Sequence, residues 1–331
     1  LTDDSGSLDP AGLGLVGDIG GTNARFGLVR VGEEPPEVMR PRAYAGRDFA
    51  SIEQAIDTYL ATVRVQRPPL VALAVAGPVR DGVIHFTNLD QTLSEADLRA
   101  RGFREARLLN DYAALAMAAL CLRGGDLRQI GGPSEAPPGR TVAVAGPGTG
   151  FGASALVRRN GQAVPLSGEA GHTSFAPQDE VELEVLRILK ARFGRVSVER
   201  ILSGQGLVNL HAALARIGGR DPGDLSPATI TDKALEGDAP CLATVERFCA
   251  ILGDVLGDYA LAVGAEGGVY IGGGIAPRIL PVLERSDFRA RFESKGRFVD
   301  YMRAIPTWLI VHPLATLLGA AEALSEPARG R

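Results

Sequence analysis

The stretch Leu13–Val29, LGLVGDIGGTNARFGLV, decides how this chain is read. An apolar run stops at Asp18, passes through Gly20, Gly21 and Thr22, and turns apolar again. That is the pattern of a strand, a phosphate-sized turn and a second strand. Adjacent glycines allow backbone angles and a close approach that side chains block, so successive amide N–H groups can converge on an anion. Asp18, at the mouth of the turn, is suited to holding a hydrated Mg²⁺ against that anion. The same letters also describe a glycine-rich β-hairpin with Asp18 and Asn23 as ordinary turn residues. Only segments further along the chain separate the two readings.

A second stretch, Thr141–Val157, TVAVAGPGTGFGASALV, repeats the plan without the aspartate. Two related half-folds facing each other would bring both turns to one cleft. G-T-G also occurs in tight turns without a ligand, so Gly148, Thr149 and Gly150 say little by themselves; the pair of turns says more. A third cluster, Gly272–Gly274, lies between the apolar GGVYI and IAPRIL, where Pro277 suits the first turn of a helix. Such a junction suits a nucleotide base or ribose, and is equally a common packing device.

Between these turns strands and helices alternate, which makes the chain α/β. LVALAVAGP (Leu70–Pro78) and ARLLN (Ala106–Asn110) read as buried strands and SIEQAIDTYLATV as an amphipathic helix. Asn110 and Asp111 end a strand and open the helix YAALAMAAL, so both side chains emerge at the C-terminal edge of a sheet, where open α/β folds place ligands. A helix cap accounts for one of them; two adjacent polar residues in an apolar stretch point to chemistry. GEAGH (Gly168–His172) offers the carboxylate of Glu169 and the imidazole of His172, without metal-ligand spacing. Glu199, in SVERILSG, reads most simply as a solvated or cap-proximal glutamate. Gly124–Gly139, rich in Gly and Pro, reads as a lobe connection. Cys241–Gly264 reads as a long buried helix in which Gly253 and Gly257, one turn apart, allow close backbone contact.

Composition narrows the class further. With 331 residues, 45% of them hydrophobic, and a formal charge of −4, the chain has neither a basic footprint nor an acidic tail, so nucleic acid and membrane surfaces are not expected partners. The length favours two lobes over one core. The polar N-terminal LTDDSGSLDP does not resemble a signal peptide, and a cytoplasmic protein is expected. Cys121, Cys241 and Cys249 lack C-x-x-C spacing, which suggests neither disulfides nor zinc. Only Lys190, Lys233 and Lys295 are lysines, and none stands in a G-x-x-x-x-G-K-[ST] loop. Any polyphosphate must then be held mainly by backbone amides, Thr hydroxyls and Mg²⁺.

Taken together, LVGDIGGTNARFGLV, LLNDYAALAMA, GPGTGFG, GEAGHTSFAP, SVERILSGQGLVNL, GGVYIGGGIAPRIL and FESKGRFVDYMRAIPTWLIVHP resemble, in that order, the bacterial glucokinase family of actin-like, hexokinase-type sugar kinases. The resemblance implies a two-lobed actin-like (ribonuclease H-like) fold with duplicated βαβ cores around a central cleft. It implies a small domain of residues 11–121 plus 313–331, a large domain of residues 122–312, and a disordered extension over 1–10. The implied reaction is transfer of the ATP γ-phosphoryl group to the 6-hydroxyl of glucose. Asp111 would be the catalytic base, and Asn110, Glu169, His172 and Glu199 would join it in binding the sugar. Asp18, Ile19, Gly20, Gly21, Thr22, Asn23, Gly148, Thr149 and Gly150 would hold Mg²⁺ and the ATP phosphates, Asp18 reaching the metal through water. Gly273 and Gly274 would border the adenosine, and a homodimer is implied. The chain departs from the family where Thr87-Asn88 is followed by LDQTL, without the Trp that members commonly carry there, in a loop bordering the sugar site.

Other readings are a kinase for mannose, glucosamine, an N-acetylhexosamine or another small acceptor, and a non-catalytic sugar sensor. A repressor of the related kinase-repressor group would need a helix-turn-helix ahead of the first turn, where only Leu1–Gly12 stand, and a clustered-cysteine zinc motif.

Overall fold

The computed structural model describes residues 9–86, 91–159 and 162–325. Thr87-Asn88 and most of the N-terminal extension lie outside these. At the start of the described chain Pro10–Gly12 is a 3-10 helix, and the Asp9 carboxylate accepts from the Ala11 amide at 3.0 Å. The chain divides into two compact units, residues 1–123, 159–167 and 312–331 forming the first and residues 124–158 and 168–311 the second.

In the first unit the opening stretch is a hairpin of β1 (Leu13–Ile19) and β2 (Asn23–Arg30), extended by β3 (Met39–Ala45). The chain then crosses over through the helix Ile52–Val63 to β4 (Leu70–Val75), and later to β5 (Glu105–Asn110). The sheet order is β3–β2–β1–β4–β5, antiparallel across the hairpin and parallel from β1 to β5. Helix Ile52–Val63 starts where Ser51 accepts from the Gln54 amide, and it buries Ile52, Ala55, Ile56, Tyr59, Leu60 and Val63, a helical stripe of apolar positions. That stripe packs against Leu13, Leu15, Phe26, Leu28 and Leu73 on one face of the sheet. The other face, carrying Val16, Val29 and Ala72, is covered by Leu317, Ala320, Ala321 and Leu324 of the helix Ala315–Ser325. Every residue of β4 is buried, as a parallel strand between two layers requires.

The second unit repeats the plan. Its hairpin is β7 (Val142–Pro147) with β8 (Phe151–Arg159), and β9 (Val269–Ile271) lies parallel to β7. β10 (Thr307–Ile310) continues parallel, and β6 (Leu127–Gly131) pairs antiparallel at its far side. β6 corrects the reading of Gly124–Gly139 as a connection only. Its five residues form a strand because Thr307–Ile310 offers an edge to pair with, and Arg128 reaches Glu284 at 2.7 Å.

The long helix is Ala239–Val263, capped by Asp238, with Gly264 closing it in the left-handed conformation. A β-carbon on Gly253 would fall 2.1 Å from the Phe288 carbonyl oxygen, and one on Gly257 would fall 2.7 Å from that of Phe292. The two glycines therefore seat this helix directly on the backbone of Phe288–Glu293. Beside that contact the fully buried Glu182 joins Arg247 and Arg291 at 2.9 and 2.8 Å, and Arg291 also pairs with Asp254.

Candidate active site

Strand register fixes where the first unit's candidate residues stand. Ile19 lies opposite Val75, and Val75 opposite Asn110, so β1, β4 and β5 end in one row at the C-terminal edge of the sheet. With strands about 4.8 Å apart, the turn after β1 and the Asn110-Asp111 pair sit roughly 10 Å from each other along that edge.

The turn Gly20–Thr22 is closed by the Gly20 amide donating to the Asn23 carbonyl at 2.9 Å, and Thr22 is held by the Gly46 amide donating to its carbonyl at 2.7 Å. Gly21, Thr22 and Asn23 are exposed, Gly20 is half-buried, and Ile19 is buried in the core beneath them. Asp18 stands opposite Arg25 in the hairpin. Burial pushes the Asp18 carboxyl above its ordinary 3.8, and the Arg25 charge offsets this only in part. A desolvated carboxylate with incomplete compensation suits a cation. The single carboxylate at this turn would suit a largely hydrated Mg²⁺ rather than a closed protein cage; among the described residues no three His, Cys, Asp or Glu side chains cluster for a metal.

Asn110 is the N-cap of the helix Asp111–Ala118. Its Oδ1 accepts from the amides of Tyr112 and Ala113 at 3.0 and 3.2 Å, while its Nδ2 donates to the Gly77 carbonyl at 3.2 Å. Gly77 has φ +142°, a value L-residues rarely adopt, which aims that carbonyl. Asp111 Oδ1 accepts from the Tyr112 amide at 2.9 Å. The cap reading holds for Asn110, and these bonds orient both side chains at the sheet edge. The sequence reading missed Gly77; the Gly-Pro step just after β4 is the signal that could have found it.

In the second unit four separate motifs converge. The turn Gly148–Gly150 closes on itself, the Gly148 amide donating to the Gly150 carbonyl at 2.8 Å, and the Gly204 amide donates to the Gly148 carbonyl at 2.9 Å. Glu199 Oε2 accepts from the Phe151 amide at 2.9 Å. A β-carbon on Gly150 would fall 2.5 Å from that same oxygen, and one on Gly171, within GEAGH, 2.3 Å from the Phe151 carbonyl oxygen. One on Gly146 would fall 2.1 Å from the Gly272 carbonyl oxygen, which brings the third glycine cluster against the same strand. Gly273 turns with φ +84° and Gly274 caps the helix Ile275–Arg278.

Glu169 precedes the 3-10 turn Ala170–His172 and His172 ends it; both are exposed, and neither side chain has a hydrogen-bond partner among the described residues. Their backbone is held instead: the His172 amide donates to the Glu169 carbonyl at 3.0 Å and Arg195 donates to the His172 carbonyl at 2.8 Å. The simple reading of Glu199 as solvated or cap-proximal is corrected, because the side chain is half-buried and bonded to a backbone amide 48 residues away. Arg195, Ser203 and Gly204 also belong to this framework and carried no sequence signal.

Two hairpins with glycine turns, each continued by a parallel strand, define the actin-like sugar-kinase fold. A glucokinase from an Antarctic psychrotroph superposes with a TM-score of 0.87 at 38% identity, over 95% of this chain and 98% of that one. A ROK-family glucokinase from Streptomyces griseus, solved with glucose and AMPPNP, shares the fold at a TM-score of 0.64 and 20% identity, over 94% and 99% of the two chains. The glucokinase family model matches residues 15–327, and the glucokinase of Caulobacter sp. (strain K31) is 53% identical over 97% of this chain and 98% of its own. The chain belongs to the glucokinase family. No described helix is long and apolar enough to cross a membrane.

Proposed function

We propose that this chain transfers the γ-phosphoryl group of ATP to the 6-hydroxyl of glucose, giving glucose 6-phosphate and ADP. The observation that carries the reading is the placement of Asn110 and Asp111 at the strand-to-helix edge, in register with the glycine turn that follows Asp18. Family membership and a solved relative holding glucose and AMPPNP support the choice of substrates.

In the reaction the sugar O6 forms a bond to phosphorus, the bond from phosphorus to the ADP oxygen breaks, and the hydroxyl proton passes to an Asp111 carboxylate oxygen. The transition state is loose, so alignment and charge neutralisation dominate. Asp111 needs little basicity; the N-terminus of its helix favours the ionised form, and its bond to the Tyr112 amide aims it. Asn110, Glu169, His172 and Glu199 bind sugar hydroxyls, each of which both donates and accepts, so an acceptor lacking one leaves a polar group unpaired. The turn that Gly20 closes through its bond to the Asn23 carbonyl and the Gly148–Gly150 turn receive the phosphates, the first with the amides of Gly21, Thr22 and Asn23, and Gly273 and Gly274 border the adenosine. Mg²⁺, held through water by Asp18, would supply neutralisation of phosphate charge. We further propose that the protein works in the cytoplasm as a homodimer.

A coupled assay of ADP release with Mg²⁺-ATP tests this against glucose, mannose, fructose, glucosamine, N-acetylglucosamine and a no-sugar control. Strong turnover on glucose is expected. Turnover confined to another acceptor would keep the fold and overturn the substrate.

A further inference from the structure

Glu199 has two duties that belong to opposite ends of the reaction. The proposed function gives its carboxylate to the sugar. Its Oε2 also accepts from the amide of Phe151, the residue that ends the Gly148–Gly150 turn and opens β8. The turn is anchored at its other end by the Gly204 amide on the Gly148 carbonyl. That second anchor leads back to the same residue: Ser203, which caps the helix beginning at Gly204 by accepting from the Gly206 amide at 2.9 Å, donates to the Glu199 backbone carbonyl at 2.8 Å. The side chain of Glu199 thus holds one end of the turn, and its backbone steadies the helix that holds the other.

Resting on the proposed function, we propose that Glu199 is also a positioning residue for the phosphate turn, so that sugar binding and nucleotide binding are coupled through its one carboxylate. The space at Gly150 shows how tight the link is. A β-carbon there would fall 2.5 Å from Oε2 and 3.3 Å from the carboxyl carbon. The obstructing atoms are the far end of a flexible side chain, so Gly150→Ala displaces the carboxylate rather than the fold. A change made in the phosphate turn is then felt by the sugar. Coupling of this kind is reciprocal: sugar changes nucleotide affinity by the same factor as nucleotide changes sugar affinity.

Titration calorimetry with glucose and with Mg²⁺-AMPPNP, each alone and in the presence of the other, tests the coupling. In the unaltered protein each ligand should tighten the other by the same factor, about 5-fold or more. Gly150→Ala should weaken glucose at least ~5-fold with no nucleotide present. Glu199→Ala should weaken Mg²⁺-AMPPNP with no sugar present, and Glu199→Gln, whose amide oxygen still accepts from the Phe151 amide, should restore it. Glucose bound normally by Gly150→Ala, or AMPPNP bound normally by Glu199→Ala, overturns the coupling. Failure of the unaltered protein to bind glucose would instead overturn the assignment of the sugar.

Discussion

Gly319→Ala tests how the helix that carries the proposed base, Asp111–Ala118, is placed without touching any residue assigned to the site. A β-carbon on Gly319 would lie 1.7 Å from the Ala114 carbonyl oxygen, 2.6 Å from its carbonyl carbon and 2.9 Å from the Ala118 nitrogen. All three are backbone atoms of the helix Asp111–Ala118, so no side chain can swing aside. Bringing the first distance to 3.0 Å requires the two helices to part by about 1.3 Å. Overpacking of this kind costs about 2–3 kcal/mol, or roughly 4–12 °C in Tm for a unit of this size. Asp111 is less than one turn from Ala114, and a displacement near 1 Å at a reacting group lowers kcat roughly 100-fold. The assay pairs thermal unfolding with steady-state kinetics. Gly12→Ala, where a β-carbon meets nothing within 4 Å, is the control for the chemical change alone. Ala114→Gly should not rescue, because the obstruction is a carbonyl and not a methyl group. A Gly319→Ala protein with unaltered Tm and kcat would refute the claim that this crossing sets the position of Asp111.

Three further outcomes are expected. Asp111→Asn should keep glucose affinity within about 3-fold while kcat falls by roughly 10²–10⁴, since shape is retained and the proton acceptor is lost; near-normal turnover would remove Asp111 as the base. Glu182→Ala should destabilise the second unit by ~3–5 kcal/mol in chemical denaturation, because Arg247 and Arg291 lose a fully buried partner, whereas Glu184→Ala, which breaks an exposed pair with Arg187, should change stability by less than ~1 kcal/mol. Burial of His211, whose Nδ1 lies 2.9 Å from Thr244 Oγ1, lowers its pKa below 6.5. The unfolded chain then takes up a proton that the native imidazole resists, so stability is intact above pH 6.5 and declines as pH falls through the depressed value. His211→Gln should flatten that part of the stability profile, and an unchanged slope would exclude His211 as its source.

Much of this architecture is legible in the sequence because it depends on local rules. The hairpin at Leu13–Arg30 announces itself through apolar runs on either side of adjacent glycines, and Ile52–Val63 through its cap and stripe. The close packing at Gly253 and Gly257 is legible as a requirement, but its partner is not, since Phe288 and Phe292 lie in a separate helix. β6 escapes for the same reason: Leu127–Gly131 has no strong strand pattern and becomes a strand only because Thr307–Ile310 offers an edge. At the candidate site, the proposed chemistry of Asn110 and Asp111 is signalled by their interruption of apolar sequence. The second duty of Glu199 cannot show, because its partner is a backbone amide and the small residue that makes room for it, Gly150, already looks like turn glycine.

The first unit is split in the chain, and the segment that completes it comes after the whole of the second. One face of its sheet stays open until Ala315–Ser325 is made, some 190 residues after Arg123. At ordinary rates of synthesis that is a delay of roughly 10–40 s, during which the second unit has time to fold first. A nascent chain should therefore hold Val16, Val29 and Ala72 uncovered for most of its time on the ribosome, with Asp111 not yet seated. Activity is acquired last, and the apolar face of the first sheet is where an interrupted chain would aggregate or engage a chaperone.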